Sequence, residues 1–129
     1  MEQVSEKPSV VRYAVGDYEE RPWGTWRVVD IGPTFITKRV EVKPGHRLSL
    51  QYHEHRSEHW VVVAGQGEAT VDDRTTRVGP GDYVVIPCGA VHRLHNPGSE
   101  QLIIVEVQFG DTLDERDIIR LQDDYARTS

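Results

Sequence analysis

Six histidines, His46, His53, His55, His59, His92 and His95, all fall between positions 46 and 95 of the 129-residue chain. Imidazole binds divalent metals and titrates near neutrality, so such clustering points to metal binding or to proton transfer. In an extended segment side chains alternate, which puts Arg47, Ser49, Gln51 and His53 on one face, and His55 as well if the strand stays regular that far. Leu48, Leu50, Tyr52 and Glu54 take the other face. Glu58 follows five residues after His53, and the turn Pro87-Cys88-Gly89-Ala90-Val91 delivers His92 at the start of a strand. Imidazole, carboxylate and amide oxygens together suit a divalent transition metal of borderline softness.

The elements that must position these groups are strands. TWRVVD, TFITKRVEVK, HRLSLQYH, EHWVVVAG, EATVD, DYVVIP, VHRLH and LIIVEVQF follow one another between Gly, Pro, Asn and Asp punctuation. That spacing predicts an all-β sandwich or barrel. Only Thr112 to about Tyr125 looks helical, with Thr112 and Glu115 at capping-box spacing and Ile118 and Leu121 three apart. Residues 1–20 read as an N-terminal tail or arm, and 21–129 as a single domain.

Composition narrows the partners. A net charge of -6 argues against nucleic acid and against an anionic membrane surface, and no apolar run is long enough to span a bilayer. One cysteine, Cys88, excludes an internal disulfide framework, and its Pro-Cys-Gly turn gives it no activating neighbours. Without a recognisable signal segment the expected location is cytoplasmic. The apolar stripe Leu48, Leu50 and Tyr52 suggests a covered face and hence a homodimer.

Two long motifs sharpen the picture. Gly45, Gln51, His53, Glu58 and Gly65 resemble the first cupin motif, G(x)5HxH(x)3-4E(x)6G, with Gln51 where the first His usually stands. Gly81, Pro87, Gly89, His92 and Asn96 match the second, G(x)5PxG(x)2H(x)3N. RPWG, LSLQYHEHRSEHWVVVAG, IPCGAVHRLHNP and the C-terminal run resemble, more narrowly, the cupin domain of type II mannose-6-phosphate isomerases, over roughly residues 20 to 128. His95 stands where that family would place a Glu.

The resemblance implies a double-stranded β-helix, or jelly-roll barrel, with the short C-terminal helix attached. It also implies one divalent metal held by Gln51, His53, Glu58 and His92, zinc first, with cobalt, manganese, nickel or iron as the other ions. One carboxylate and three neutral ligands leave such a centre with a charge of about +1, electrophilic toward a carbonyl or hydroxyl. The implied reaction interconverts mannose 6-phosphate and fructose 6-phosphate, feeding sugar-nucleotide and polysaccharide synthesis. Family members often carry a sugar-nucleotide pyrophosphorylase domain, which has no counterpart in these 129 residues and could act as a separate partner.

Moving a proton between C1 and C2 of a sugar needs a base of suitable pKa. Lys38, on a largely apolar face with Ile36, Val40 and Val42, Glu106, alternating with Leu102 and Ile104, and His55 are the candidates, and the sequence does not choose among them. Arg47 is the first expected contact for phosphate or hydroxyl, Lys38 the second. Against these stand ordinary ion pairs of Arg47 and Lys38 with Glu41, Glu58 or Glu106, and a pocket held by hydrogen bonds without metal. Trp60 reads as core, and Trp23 as either core or a sugar platform. A non-catalytic sugar-phosphate binder, a partner-dependent subunit and a metal cupin of another kind, such as a dioxygenase, are the competing functions.

Overall fold

The computed structural model describes residues 10–126. Thirteen strands follow in order: β1 Val10–Val11, β2 Tyr18–Arg21, β3 Gly24–Ile31, β4 Phe35–Val42, β5 Leu50–Tyr52, β6 Arg56–Ala64, β7 Gly67–Val71, β8 Arg74–Val78, β9 Tyr83–Ile86, β10 His92–His95, β11 Leu102–Gly110, β12 Thr112–Leu113 and β13 Ile119–Gln122. They form a six-stranded sheet, β2-β3-β4-β11-β6-β9, and a five-stranded sheet, β13-β5-β10-β7-β8, with β1 and β12 pairing in parallel as a ribbon. Every other pairing is antiparallel.

Period-two alternation makes the sheets amphipathic, and the inward side chains change character along each strand. On β11 the buried residues run Leu102, Ile104, Glu106, Gln108, and on β6 they run Arg56, Glu58, Trp60, Val62. The antiparallel register sets Ile104 opposite Val62, Glu106 opposite Trp60 and Gln108 opposite Glu58. One half of the interior is therefore apolar, closed by Val42, Leu102, Ala69, Val78 and Leu94, while the other half holds charge. Gly65, just past β6, has φ +83, and a Cβ there would lie 2.4 Å from the Gln101 carbonyl oxygen, so glycine is required where the two sheet strands approach.

The structure differs from the sequence reading in four places. The C-terminal run is not helical: among the described residues there is no helix, and Thr112 to Tyr125 forms β12, a turn and the edge strand β13 on β5. Its acidic side chains spend themselves on other partners, Asp114 on Arg116, Glu115 on Lys38 and Asp117 on the backbone of residues 54 and 55, and such local and tertiary bonds outcompete a helix. β8, RTTRV, escaped the sequence pattern because it lies on a sheet edge with four of five residues exposed. β5 is shorter than HRLSLQYH, although Ser49, Gln51 and His53 are all buried. Of the expected arm, residues 1–9 lie outside the described residues, Val10–Val11 sits in the parallel ribbon, and Tyr18–Arg21 is the edge strand beside β3.

Among the described residues no helix is long and apolar enough to cross a membrane.

Candidate metal centre

The charged half of the interior gathers His53, Glu58 and His92, whose ligating atoms lie within 4.8 Å of one another. All three are buried. His53 Nδ1 faces the Asp117 carbonyl oxygen at 2.6 Å, and His92 Nδ1 faces the Ala90 carbonyl oxygen at 2.9 Å. A carbonyl only accepts, so each Nδ1 carries the proton and each Nε2 turns a lone pair inward. Burial pushes His53 down to about 4, which keeps it neutral at pH 7.

Glu58 is held by donors on both oxygens. Trp60 Nε1 donates to Oε1 at 2.9 Å and Arg56 Nε donates to Oε2 at 2.8 Å. Burial alone would raise this carboxyl, but the Arg56 guanidinium and the two imidazoles outweigh it and hold Glu58 well below the usual carboxylate range. Arg56 Nη2 also lies 3.2 Å from His53 Nε2. That nitrogen has one lone pair, so a metal and Arg56 compete for it.

Among the described residues three buried acceptors make no hydrogen bond, Gln51 Oε1, His92 Nε2 and Gln108 Oε1, and the first two belong to this cluster. Gln51 and His92 are directly opposed in the β5–β10 pairing. Orphaned acceptors cost free energy unless something electropositive meets them. With neutral His53 and ionised Glu58 beside them, the residues present fit a divalent cation bound by two imidazoles, a carboxylate and an amide oxygen.

The cavity that opens beside this cluster is lined by both Lys38 and Glu106. They are register partners on β4 and β11. Burial, with the Glu58 charge adding to it, pushes Glu106 up to about 7 despite Lys38 and the Gln108 amide. Lys38 Nζ donates to Glu115 Oε2 at 3.0 Å and to Tyr13 Oη at 3.3 Å, and lies 4.0 Å from the Trp26 ring centroid. Its ion pair is thus with Glu115 and not with Glu41, Glu58 or Glu106.

Arg47 and His55 are placed elsewhere. Arg47 makes a two-pronged contact with Asp124, at 2.8 and 2.9 Å, and does not line the cavity. His55 is exposed, with Nδ1 3.1 Å from Asp111 Oδ1. Regular strand geometry begins at Leu50 and ends at Tyr52, so alternation carried to either side loses its meaning. Cys88 is exposed, and its Sγ lies 3.3 Å from the Glu54 carbonyl oxygen. Trp60 is core, while Trp23 is buried and lines the cavity.

Four charged cavity residues went unread in the sequence: Arg21, Arg56, Glu115 and Arg120. Arg56 had a signal, since it precedes Glu58 and Trp60 on the same alternating face, but the strand was taken to open at Glu58. Glu115 and Arg120 arrive through the C-terminal run, whose helical reading put them outside the barrel.

Two facing sheets with a histidine and glutamate cluster at one end define a cupin, a double-stranded β-helix. Solved structures agree: the cupin domain of Cnp3 from Schizosaccharomyces pombe superposes with TM-score 0.64 at 20% identity, over 67% of this chain and 64% of that one. Oxalate decarboxylase from Lactobacillus farciminis gives TM-score 0.71 at 28% identity, over 81% and 33%.

The chain belongs to the family described as mannose-6-phosphate isomerase C-terminal, whose model matches residues 12–123. Alginate biosynthesis protein AlgA of Pseudomonas aeruginosa is 51% identical over 84% of this chain and 23% of its own length. Xanthan biosynthesis protein XanB of Xanthomonas campestris pv. campestris is 48% identical over 84% and 23%. A mannose-1-phosphate guanylyltransferase of Escherichia coli is 46% identical over 83% and 22%. The chain thus spans less than a quarter of the length of these relatives.

Proposed function

We propose that this protein is a metal-dependent aldose-ketose isomerase acting on mannose 6-phosphate and fructose 6-phosphate. The observation that carries the reading is one cavity lined by Gln51, His53, Glu58 and Glu106, a buried carboxyl poised near neutrality, with His92 grouped behind it within ligand reach of His53 and Glu58. A bound divalent ion, zinc first, would polarise the sugar carbonyl and stabilise the oxygen charge that develops when the adjacent C–H is lost. Glu106 takes the proton from C2 as the carbonyl oxygen O1 gains one, giving the enediol, and delivers it to C1 as the O2 hydroxyl gives up its proton; a base poised near the working pH serves both directions. Lys38, fixed by Glu115 and Tyr13, is the register partner of Glu106. Arg120 and Arg21, the latter also paired with Glu19 and Glu115, line the cavity and are the cations for the phosphate. The relatives named for alginate, xanthan and mannose-1-phosphate support a place in polysaccharide precursor synthesis, in the cytoplasm.

The test is a coupled assay of fructose 6-phosphate formation on chelator-stripped protein, repeated after adding zinc, cobalt, manganese, nickel or iron singly, with oxygen uptake followed alongside. Metal-dependent turnover without oxygen uptake is the expected result. Sugar-phosphate binding with no turnover under any metal would replace the isomerase by a binding subunit. A sugar-nucleotide pyrophosphorylase would then be its partner. Oxygen consumption would indicate a dioxygenase.

A further inference from the structure

We infer that Asp117 is a positioning residue that fixes the tautomer and aim of His53; the inference rests on the metal reading of the cavity. Asp117 bonds three consecutive residues. Its carbonyl oxygen accepts from His53 Nδ1 at 2.6 Å, its Oδ1 from the Glu54 amide at 2.9 Å and its Oδ2 from the His55 amide at 2.9 Å. Residues 53–55 have left β5 and not yet entered β6, so these amides lie outside the sheet ladders. Asp117 is itself fixed by its amide, which donates to the Asp114 carbonyl at 3.0 Å.

The arrangement does for His53 what a local turn does for His92. The Ala90 carbonyl that orients His92 is two residues away in the chain, whereas the Asp117 carbonyl comes from 64 residues away. The aim of His53 therefore depends on how firmly the C-terminal run docks against the 53–55 segment, and both Asp117 carboxylate oxygens are spent on that docking. With Nδ1 committed to the carbonyl, the Nε2 lone pair faces Glu58 Oε2, 3.2 Å away. A partner that holds the far nitrogen of a ligating histidine governs ligand orientation and metal affinity. The group of exposed Glu54 and His55 with half-buried Asp117 is on this account a clamp, the Asp117 carboxylate already engaged by backbone amides.

Two variants separate this role from simple structural support. Asp117→Ala removes both side-chain acceptors and keeps the backbone carbonyl, while Asp117→Asn keeps one side-chain oxygen. Chelator-treated wild type and both variants are titrated with cobalt(II), following its visible absorption, under conditions where each is folded by circular dichroism. The imidazole nitrogens of His53 are read by NMR without metal. The expected result is a proton on Nδ1 in the wild type, a cobalt Kd raised about 10–100-fold in Asp117→Ala and by less in Asp117→Asn. Wild-type cobalt affinity in both variants, or an Nε2 proton in the metal-free wild type, overturns the inference. Should Asp117→Ala fail to fold, Asp117→Asn and the tautomer measurement decide. Should the wild type bind no cobalt, the metal reading fails separately, and the loss or persistence of the single Nδ1–H tautomer in Asp117→Asn supports or overturns the role of Asp117.

Discussion

Glu58 and Glu106 are both buried carboxyls in one cavity, yet their protons are held oppositely. Glu58 sits against a guanidinium and an indole N–H and stays ionised, whereas Glu106 has the Glu58 charge nearby and Lys38 already turned to Glu115. In the isomerase proposed above, two carboxyls pushed apart in this way would divide labour, one as ligand and one as proton carrier. If Glu106 is the base, the working form is the carboxylate. Its pKa is raised from 4.5 to about 7, so kcat/KM should climb with pH up to about 7 and level off above it. Glu106→Gln should lower turnover by about 10²–10⁴-fold and abolish that rise, with metal content unchanged. Steady-state kinetics from about pH 5 to 9, with metal analysis of each preparation, checks both parts. A Glu106→Gln enzyme with wild-type turnover removes Glu106 from the reaction.

The element that most shapes the cavity is the C-terminal run from β12 to β13, which brings Glu115 to Lys38, Asp117 to the 53–55 segment and Asp124 to Arg47. Burial would raise Glu115, but Lys38 and the Tyr13 hydroxyl hold it down, from 4.5 to about 2. A carboxyl lowered by folding contributes stability that is fully present above its unfolded pKa and is lost as pH falls through the folded one. Acid should therefore loosen this run between about pH 4.5 and 2. Glu115→Gln should flatten that part of the stability curve and cost about 1–3 kcal/mol near neutrality, because Lys38 stays buried without its counter-charge. Urea unfolding as a function of pH measures both; a Glu115→Gln curve parallel to wild type throughout the acid range would show that Glu115 is not the linked group. The same element shows where sequence reasoning ends. β6 was legible because Glu58, Trp60 and Val62 alternate with exposed neighbours, and with it came the two motifs that carry His53, Glu58 and His92. Glu115, Asp117 and Arg120 form contacts distant in sequence, and a short run with capping-box spacing offered a local alternative that only the tertiary bonds defeat.

At the scale of the whole molecule, the outer face of the six-stranded sheet carries exposed apolar side chains. Val105, Val61 and Tyr83 lie in one row across β11, β6 and β9, and Val107, His59 and Val85 in the next. Val61 is 44% exposed, Val63 49%, Tyr83 73% and Val85 44%. Charge returns toward β4 and β3, at Arg39, Glu41 and Arg27, and bounds the apolar rows on that side. Leu48, Leu50 and Tyr52, the stripe that first suggested a homodimer, are half-buried on the other sheet, with Leu50 and Tyr52 paired to β13. If the protein is a homodimer, the outer face of β11-β6-β9 is the better seat: it is nearly free of charge, and an isologous contact would set each apolar row against its symmetry mate. Sedimentation should give about twice the 14.7 kDa chain mass for the wild type. Val61→Glu, entering such an interface twice, should give the single-chain mass while leaving the metal cluster on the opposite side of the sheet, and hence metal content, intact. A wild type that sediments at the single-chain mass would rule out the homodimer and leave this face for a different chain.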